Sequence, residues 1–382
     1  LGGEALMLSG APSDVLAGAC GYRTEIASWR GPTLLASLVP LTSGRLMFKA
    51  DQDIPDTLSI TVPRIVDGFD WMPDENDYLH PLAKMGQELV VRVIVTSALT
   101  NVEYVTVRGR YQIQDVEEQT PGLVTVAASG MLQVVADDKL PTPTVPRTGG
   151  TFFSEFRRLM PSGLGVAIDP SLTDRACPQS LAWSEDRLAA LQSLAEAMPA
   201  LLRNDATGQA MLRAPLADNP TPVITISDGE ISPTNKYPVL VGKTQKQTRE
   251  GVYNYWVVHG TSTDDPTRPP VSGSAIQTTG PFAVDPQGFR TRLAFFASPL
   301  LTTDAQCQLA AQTRLRNGLR LAAVVPITMA PDPRLELDDA ARVRSGLRSD
   351  GSWGFDTIGY VVGGELPLTI DDGAMRLDVG VG

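Results

Sequence analysis

Hydrophobic positions recur along this chain at two spacings, and the change of spacing divides it. From Val39 the alternation has period two. Arg45-Leu46-Met47-Phe48-Lys49 and the set Leu58, Ile60 and Val62 against Ser59 and Thr61 predict two strands joined by a turn around Pro55. Leu89 to Val95 reads as a mostly buried strand, and Val102 to Val116 as a long alternating one. Leu123 to Val126 and Met131 to Val135 read as two more strands. The middle of the chain changes period. Phe152 to Met160 predicts a short amphipathic helix. Leu188, Leu191, Leu194, Ala195 and Met198 predict a second helix, with Ser184 as its N-cap and Pro199 as its end. Asn204, Asp205, Thr207 and Gly208 predict a turn, and Ala210 to Ala214 a short strand that Pro215 stops.

Beyond Pro215 the β pattern returns. Val223 to Ile226, Gly251 to Gly260, Ala322 to Met329, Ala341 to Val343, Trp353 to Val362 and Met375 to Val379 all read as strands, and Thr261 to Gly273 as a polar loop. One helix interrupts them. Thr303-Asp304-Ala305-Gln306 has capping-box form and opens a helix to about Leu319. Residues 1 to about 35 have no clear period and read as an N-terminal arm. The order predicts a β-rich α+β fold of two barrel or sandwich blocks separated by a small α/β unit. The expected boundaries are 1–38 for the arm, 39–146, 147–221 and 222–382. The run Pro141-Thr142-Pro143-Thr144-Val145-Pro146, followed by Gly149-Gly150, is the clearest linker. No fixed-period repeat is visible. The 34 Gly and 30 Pro among 382 residues are spread out, which suits many short strands and turns.

Charge narrows the function classes. The formal net charge is −11, which opposes tight nucleic-acid binding and suits solubility or a channel wall that DNA passes without sticking. No run reaches the ~18 apolar residues of a membrane span. Leu16-Ala17-Gly18-Ala19-Cys20 has the outline of a lipoprotein cleavage box, but Glu4 and Asp14 interrupt what precedes it and no Lys or Arg stands before it. Three cysteines, Cys20, Cys177 and Cys307, and two histidines, His80 and His259, lie far apart with no ligand spacing.

The chemistry-bearing clusters are few. Gly242-Lys243-Thr244 has the end of a phosphate-binding loop, but Tyr237 stands where its first glycine belongs. Gly163-Leu164-Gly165 lacks the third glycine of a dinucleotide fingerprint. Asp74, Glu75 and Asp77 near His80 could do acid–base work only if the fold held them together. Glu336, Asp338 and Asp339, and the pair Asp371-Asp372, could line a calcium turn, without the ligand spacing of a recognised loop. The expectation is no catalytic residue, no cofactor-binding residue, no metal ligand and no enzyme.

The order of blocks resembles the tail-hub proteins of tailed bacteriophages, the group that includes baseplate hubs and minor tail proteins. Local patterns carry the resemblance. His80-Pro81-Leu82-Ala83-Lys84-Met85-Gly86-Gln87-Glu88-Leu89 is similar to the segment entering a strand of the family's first tube-like domain. Ser184 to Ala214 is similar to its helix, "D-x-x-G" turn (Asp205-Ala206-Thr207-Gly208) and strand. Arg249 to Gly260 is similar to the "R-x-x-x-Y-N-x-x-x-V-x-G" strand that opens the second tube-like domain. Thr302 to Leu319, then Pro331 to Leu337, is similar to its helix and next strand. Members often carry Gly-Asp after that strand, where this chain has Asp338-Asp339. The resemblance spans residues 40 to 345.

It implies two tube-like β domains per chain and a structural job in the virion, at the tail tip, after synthesis in the host cytoplasm. Three copies would form a pseudo-sixfold ring continuing the tail tube. The implied partners are the other copies of a homotrimer, a distal tail protein or tube ring, the tape-measure protein, and fibre or spike proteins. DNA would pass through the lumen without specific binding, and no membrane is involved. Two other classes compete: a receptor- or glycan-binding tip adhesin, and a virion-associated cell-wall hydrolase using Glu75 and Asp77.

Overall fold

The computed structural model describes residues 10–179, 181–229, 239–244, 246–247, 249, 251–260 and 270–381. A one-turn helix, α1 (Ser13–Ala17), leads into β1 (Cys20–Arg30) and β2 (Thr33–Ala36). Then come β3 (Ser43–Lys49), β4 (Asp56–Pro63), the small hairpin β5 (Ile65–Val66) and β6 (Phe69–Asp70), and the long run β7 (Gln87–Ser97), β8 (Glu103–Thr120) and β9 (Leu123–Gly130). The middle holds α2 (Leu132–Asp137), α3 (Phe152–Leu159), β10 (Val166–Ile168), α4 (Arg187–Ala197), β11 (Leu201–Asn204) and β12 (Ala210–Arg213). The rest is β13 (Ile224–Ser227), β14 (Leu240–Lys243), β15 (Lys246–Gln247), β16 (Tyr255–His259), β17 (Ser272–Ile276), β18 (Leu293–Ala297), α5 (Asp304–Ala322), β19 (Ala323–Met329), β20 (Ala340–Leu347), β21 (Trp353–Pro367) and β22 (Met375–Gly380). The fold is a β-rich α+β fold, as the pattern predicts. Among the described residues its main sheet is open: the pairing runs edge to edge and does not close into a barrel.

Three local expectations are corrected. Cys20–Arg30 is not part of an arm: it pairs with β7 over its whole length, from Cys20 opposite Ser97 to Arg30 opposite Gln87. Its Ile26 is fully buried, and so is Ser28, whose hydroxyl donates to the Pro81 carbonyl. A buried serine inside the strand hides the alternation. Met131 to Val135 is not a strand. Gly130 ends β9, and α2 turns Leu132 and Val135 inward at i, i+3 spacing. The cap of α4 is Asp186 rather than Ser184: its carboxylate accepts from the Ala189 N–H at 2.9 Å. The cap of α5 is the expected one, Thr303, and α3 is capped by Thr151. Thr151 and Ser154 form a reciprocal capping box, and Thr303 accepts from the Gln306 N–H. The polar loop expected over 261–273 lies outside the described residues up to 269, and Ser272 and Gly273 already belong to β17.

The two β blocks are one sheet in space. Its order is β14-β19-β22-β21-β3-β4-β9-β8-β7-β1-β2, with β13 and β20 branching from β21 and β15 extending the β14 side. The bond between blocks is β21 to β3, where Leu366 lies opposite Leu46 and Glu365 opposite Met47. Strand β21 is long enough to pair twice along one edge. Tyr360 pairs with both Ala340 of β20 and Gly380 of β22, so those two strands flank it. Past that point β3 takes over the edge that β20 leaves. One hydrophobic core runs under both halves, from Ile26, Leu46 and Val91 to Ile226, Val343 and Val379.

A second core joins elements far apart in sequence. Helices α2, α3 and α4 and the β10-β12-β11 sheet pack with α5 and the separate β17-β16-β18 sheet through Phe156, Leu191, Leu212, Val258 and Ala311. The Tyr255–His259 strand therefore does not open the second half of the main sheet, as the resemblance implied. Short strands β13 and β14 do that.

Strand pairing repeats between the halves although the sequence does not. In the first half the neighbours run β3-β4-β9-β8-β7-β1; in the second they run β14-β19-β22-β21-β20-β13. The matched strands come in the same chain order. One bulge coincides as well: the register slips between Ile113 and Asp115 of β8 against β9, and between Val361 and Gly363 of β21 against β22, whereas the slip between Val91 and Arg92 of β7 against β8 has no counterpart between β20 and β21. Pairing outward from the bulges sets Ile113 with Val361 and Glu117 with Glu365. On the next strand it sets Val126 with Leu377, and beyond that Ile26 with Ile226. Only β13 differs in direction: it runs parallel to β20 where β1 is antiparallel to β7.

Candidate functional site

A cluster of charged groups lies where the first block, the central unit and the second block meet. Asp56 at the start of β4, Arg108 and Tyr111 of β8, Arg203 and Asn204 of β11, Arg213 of β12, and Glu336, Asp338 and Asp339 before β20 line one cleft or its walls. Asp338 sits at φ 69°, a left-handed conformation that glycine or a short polar side chain adopts most easily. This is the position of the departure from Gly-Asp. Its buried carboxylate accepts from Arg203 Nε at 2.8 Å and Nη2 at 3.3 Å, with Arg213 Nη1 3.8 Å away. Asp339 Oδ2 accepts from the Glu336 N–H at 2.8 Å, which closes the turn. Arg108, buried under β8, donates to the Pro333 carbonyl at 2.8 Å and lies 3.6 Å from Glu336. Two carboxyls here are raised to about 6, both chiefly by desolvation: Asp56, partly offset by Asn204, Arg108 and Arg203, and Asp339, partly offset by its backbone hydrogen bond.

These two raised groups predict a pH dependence with a defined sign. Their folded values lie above the unfolded carboxylate value of ~3.9, so the folded state binds more protons between about pH 4 and 6. Ionisation therefore costs stability as pH rises through that window, and the loss is complete above about 6. Asp56→Asn, which imitates the neutral form, should melt above the wild type at pH 7.5. The difference should close as pH falls to 4. Paired melting curves across that range check it; a gap independent of pH would show that Asp56 does not titrate there.

The other sequence candidates are not brought together. His80 is buried, with Nε2 2.9 Å from the Asp70 carbonyl and Nδ1 accepting from the Leu82 N–H at 3.1 Å. Both ring nitrogens are thus committed to backbone. Gln87, fully buried, donates to the carbonyls of Tyr78 and His80 and holds the same loop. Asp74, Glu75 and Asp77 are exposed around it, and Asp77 accepts from the Leu79 N–H. Asp372 accepts from the N–H groups of Gly44 and Thr369 and from the Thr369 hydroxyl, so it fastens the C-terminal turn to β3, and Asp371 stands exposed beside it. Gly242 and Lys243 are on β14, and Gly163 and Gly165 lie in the turn before β10, so neither set opens a helix. Burial raises the thiols of Cys20, Cys177 and Cys307. His259 stacks on Phe295 at the surface. Among the described residues no three His, Cys, Asp or Glu side chains gather as a metal site.

Two motifs quoted for the resemblance have clear physical roles. Asp205 Oδ1 accepts from Thr207 N, Thr207 Oγ1 and Gln209 N, while Gly208 takes φ 87°, which fixes the turn between β11 and β12. Asn254, fully buried, donates to the Phe282 and Arg290 carbonyls and accepts from the Arg292 N–H, which seats the segment entering β18.

No family model matches the chain, and no curated protein matches it. Solved structures do. A tail protein from Neisseria meningitidis aligns with 94% of this chain and 96% of its own, at TM-score 0.63 and 12% identity. This is a tail-protein fold. A 43 kDa tail protein of prophage MuSo2 from Shewanella oneidensis aligns over 94% of this chain and 98% of its own, at TM-score 0.56 and 10% identity. Prophage tail protein gp18 from Listeria monocytogenes aligns over 93% and 94%, at 0.52 and 10%. Near-complete coverage in both directions means that the tail-protein fold includes the central unit and the second core as well as the sheet. The charged cleft then reads as a junction that fixes three parts of this fold against one another.

Proposed function

We propose that the chain is a structural protein of a phage tail, a hub in which each copy supplies two tube-like β domains and three copies make a pseudo-sixfold ring. The observation that carries this reading is the repeated strand order. Two copies of one strand order, with one bulge in register and only β13 reversed in direction, stand side by side in one chain. A tube built from single domains can be continued by a chain carrying two of them, and three such chains match six subunits. We read the two halves of the main sheet as the two tube-like domains. The likeness in fold to tail proteins over nearly the full chain supports the same reading. The ring would sit at the tail tip of the virion. It would meet a distal tail protein or tube ring on one side and fibres or a spike on the other, and would hold the tape-measure protein until DNA passes. The work is mechanical rather than catalytic: His80, Asp77 and Asp372 each serve a local backbone contact.

The purified chain should show about three times its 40.9 kDa mass by light scattering, and negative-stain images should show a ring with a central hole. A compact monomer at every concentration tried would count against the ring.

A further inference from the structure

We infer that the solvent-facing side of the small β17-β16-β18 sheet is a docking surface for one amphipathic helix of a partner protein. This surface lies outside the main sheet, and the inference does not depend on the ring. The register defines the face. Tyr255 stands between Ile276 and Leu293, Val257 between Ser274 and Phe295, and His259 between Ser272 and Ala297. The alternate residues, Trp256, Val258, Ala275 and Phe296, turn the other way, into the second core. On that inner side α5 lies lengthwise along β17. Asp304 accepts from the Ser272 N–H and Gln308 from the Ser274 N–H, so one helical turn keeps step with two strand residues. On the outer side Phe295 is 66% exposed, Ile276 46% and Leu293 39%.

A face meant for water has a different pattern. A sheet with one wet side alternates apolar and polar residues, whereas parallel strands covered on both sides read as near-continuous apolar runs. Strands β16 and β18 are parallel. They read Tyr255-Trp256-Val257-Val258-His259 and Leu293-Ala294-Phe295-Phe296-Ala297, the pattern of strands covered twice. None of the outward positions is Asp, Glu, Lys or Arg, in a chain of which 20% is charged. His259 lays its ring over Phe295, with centroids 6.4 Å apart, and so extends the apolar surface. Contiguous exposed apolar surface marks an interaction site.

Its dimensions select the occupant. The apolar strip runs along β16 and β18, and Ser272 and Ser274 bound it on the β17 side. Two strands ~4.8 Å apart make a strip ~10 Å wide, the diameter of one helix. Five residues at ~3.4 Å make it roughly 15 Å long, about three helical turns. The inner side already takes a helix in this way. A second copy of the chain would need ~800 Å² on each side for a stable contact, several times what the strip offers. Charge adds a direction. Arg249, Arg290 and Arg292 gather at the Tyr255 end, where Arg292 precedes Leu293 and donates to the Arg249 carbonyl. An acidic first turn placed there would meet them, and a helix N-terminus itself favours acidic side chains.

The test pans the full chain against two displayed libraries of peptides about 14 residues long, which exceeds the ~10 that span the strip. One library places apolar residues at i, i+3, i+4 and i+7 behind an acidic first turn. The other arranges the same residues in strand alternation. The expected result is enrichment from the helical library alone. A synthetic peptide of the enriched sequence should bind the wild-type chain in fluorescence anisotropy, and Phe295→Glu should weaken it about tenfold or more. Arg290→Glu should weaken it severalfold, whereas Leu309→Glu, at an exposed position of α5, should leave it unchanged. The Phe295→Glu chain should keep the wild-type urea midpoint, and Leu293→Lys repeats the readout at a second exposed position. Enrichment from the strand library, or binding indifferent to both Phe295→Glu and Leu293→Lys, overturns the inference. So does a mass in light scattering that falls on Phe295→Glu, which would give the face to a second copy of the chain.

Discussion

Replacing Arg203 by Met should destabilise the chain by about 3–5 kcal/mol, the usual cost of removing one partner from a buried ion pair. The Asp338 side chain is 2% exposed, and Arg203 gives it two hydrogen bonds, at 2.8 and 3.3 Å. Arg213, at 3.8 Å, cannot replace both, because its Nη1 also donates to the Leu337 carbonyl. The charge would stay buried with half its partners gone. The location raises the effect. Arg203 belongs to β11 in the central unit, and Asp338 to the turn before β20 in the main sheet, so the pair ties the second core to the first. Urea unfolding followed by fluorescence checks the magnitude. It should also show a broader or split transition in the variant, because the two cores lose a shared contact. Asp338→Asn in the Arg203→Met background should recover most of the loss. Asn tolerates the left-handed backbone at this position and carries no charge to strand. A loss below about 1 kcal/mol for Arg203→Met would mean that the turn, not the ion pair, joins the units.

Particular residues show what was legible in the sequence. Elements were readable where one short-range rule decided them: Thr303 capping α5, the Asp205–Gly208 turn, the alternation of β3 and β4. Readings failed where partners distant in sequence decided. Cys20–Arg30 becomes a strand because β7, some seventy residues on, supplies its whole ladder. Met131 to Val135 is an apolar run too short for periodicity to arbitrate, and the core under α4 settles it as a helix. The largest miss is the grouping of elements. Chain order suggested three successive blocks, whereas β21 pairing with β3 fuses the outer two, and α5 joins the middle one. Nothing local records that Leu366 will lie opposite Leu46. The repeat was equally hidden. The halves share strand order and one bulge but few identical residues, since a sheet asks only for alternation and size. At the charged cleft, Asp338 and Asp339 stood out as candidate calcium ligands. Arg203 and Arg213, which claim Asp338, lie some 125 to 135 residues away and carried no signal.

Gly273→Ala should cost about 3 kcal/mol, at the upper end of what overpacking does, although the change adds one methyl group. A Cβ at this position would stand 2.2 Å from the backbone N of Gln308 and 2.5 Å from the carbonyl carbon of Cys307. Those atoms are α5 itself, so no side chain can rotate away, and the helix must retreat from β17. It is held against retreat on both flanks of the glycine. Ser272 N–H donates to Asp304 Oδ1 at 2.8 Å, Ser274 N–H to Gln308 Oε1 at 3.1 Å, and Gln308 Nε2 returns to the Ser274 carbonyl at 2.8 Å. Moving α5 outward would stretch all three and open the second core at Cys307 and Ala311, both fully buried. Ser274→Ala, next door, should cost under about 0.5 kcal/mol, because its hydrogen bonds here are made by backbone atoms. The contrast between neighbours separates close backbone approach from a general sensitivity of β17. Urea midpoints of the two variants measure it, and equal losses would mean that the helix is free to move. A glycine inside a strand marks either a bulge or a place where another backbone comes near; at Gly273 the second holds, because the ladder from Tyr255–Ile276 to His259–Ser272 runs without a slip.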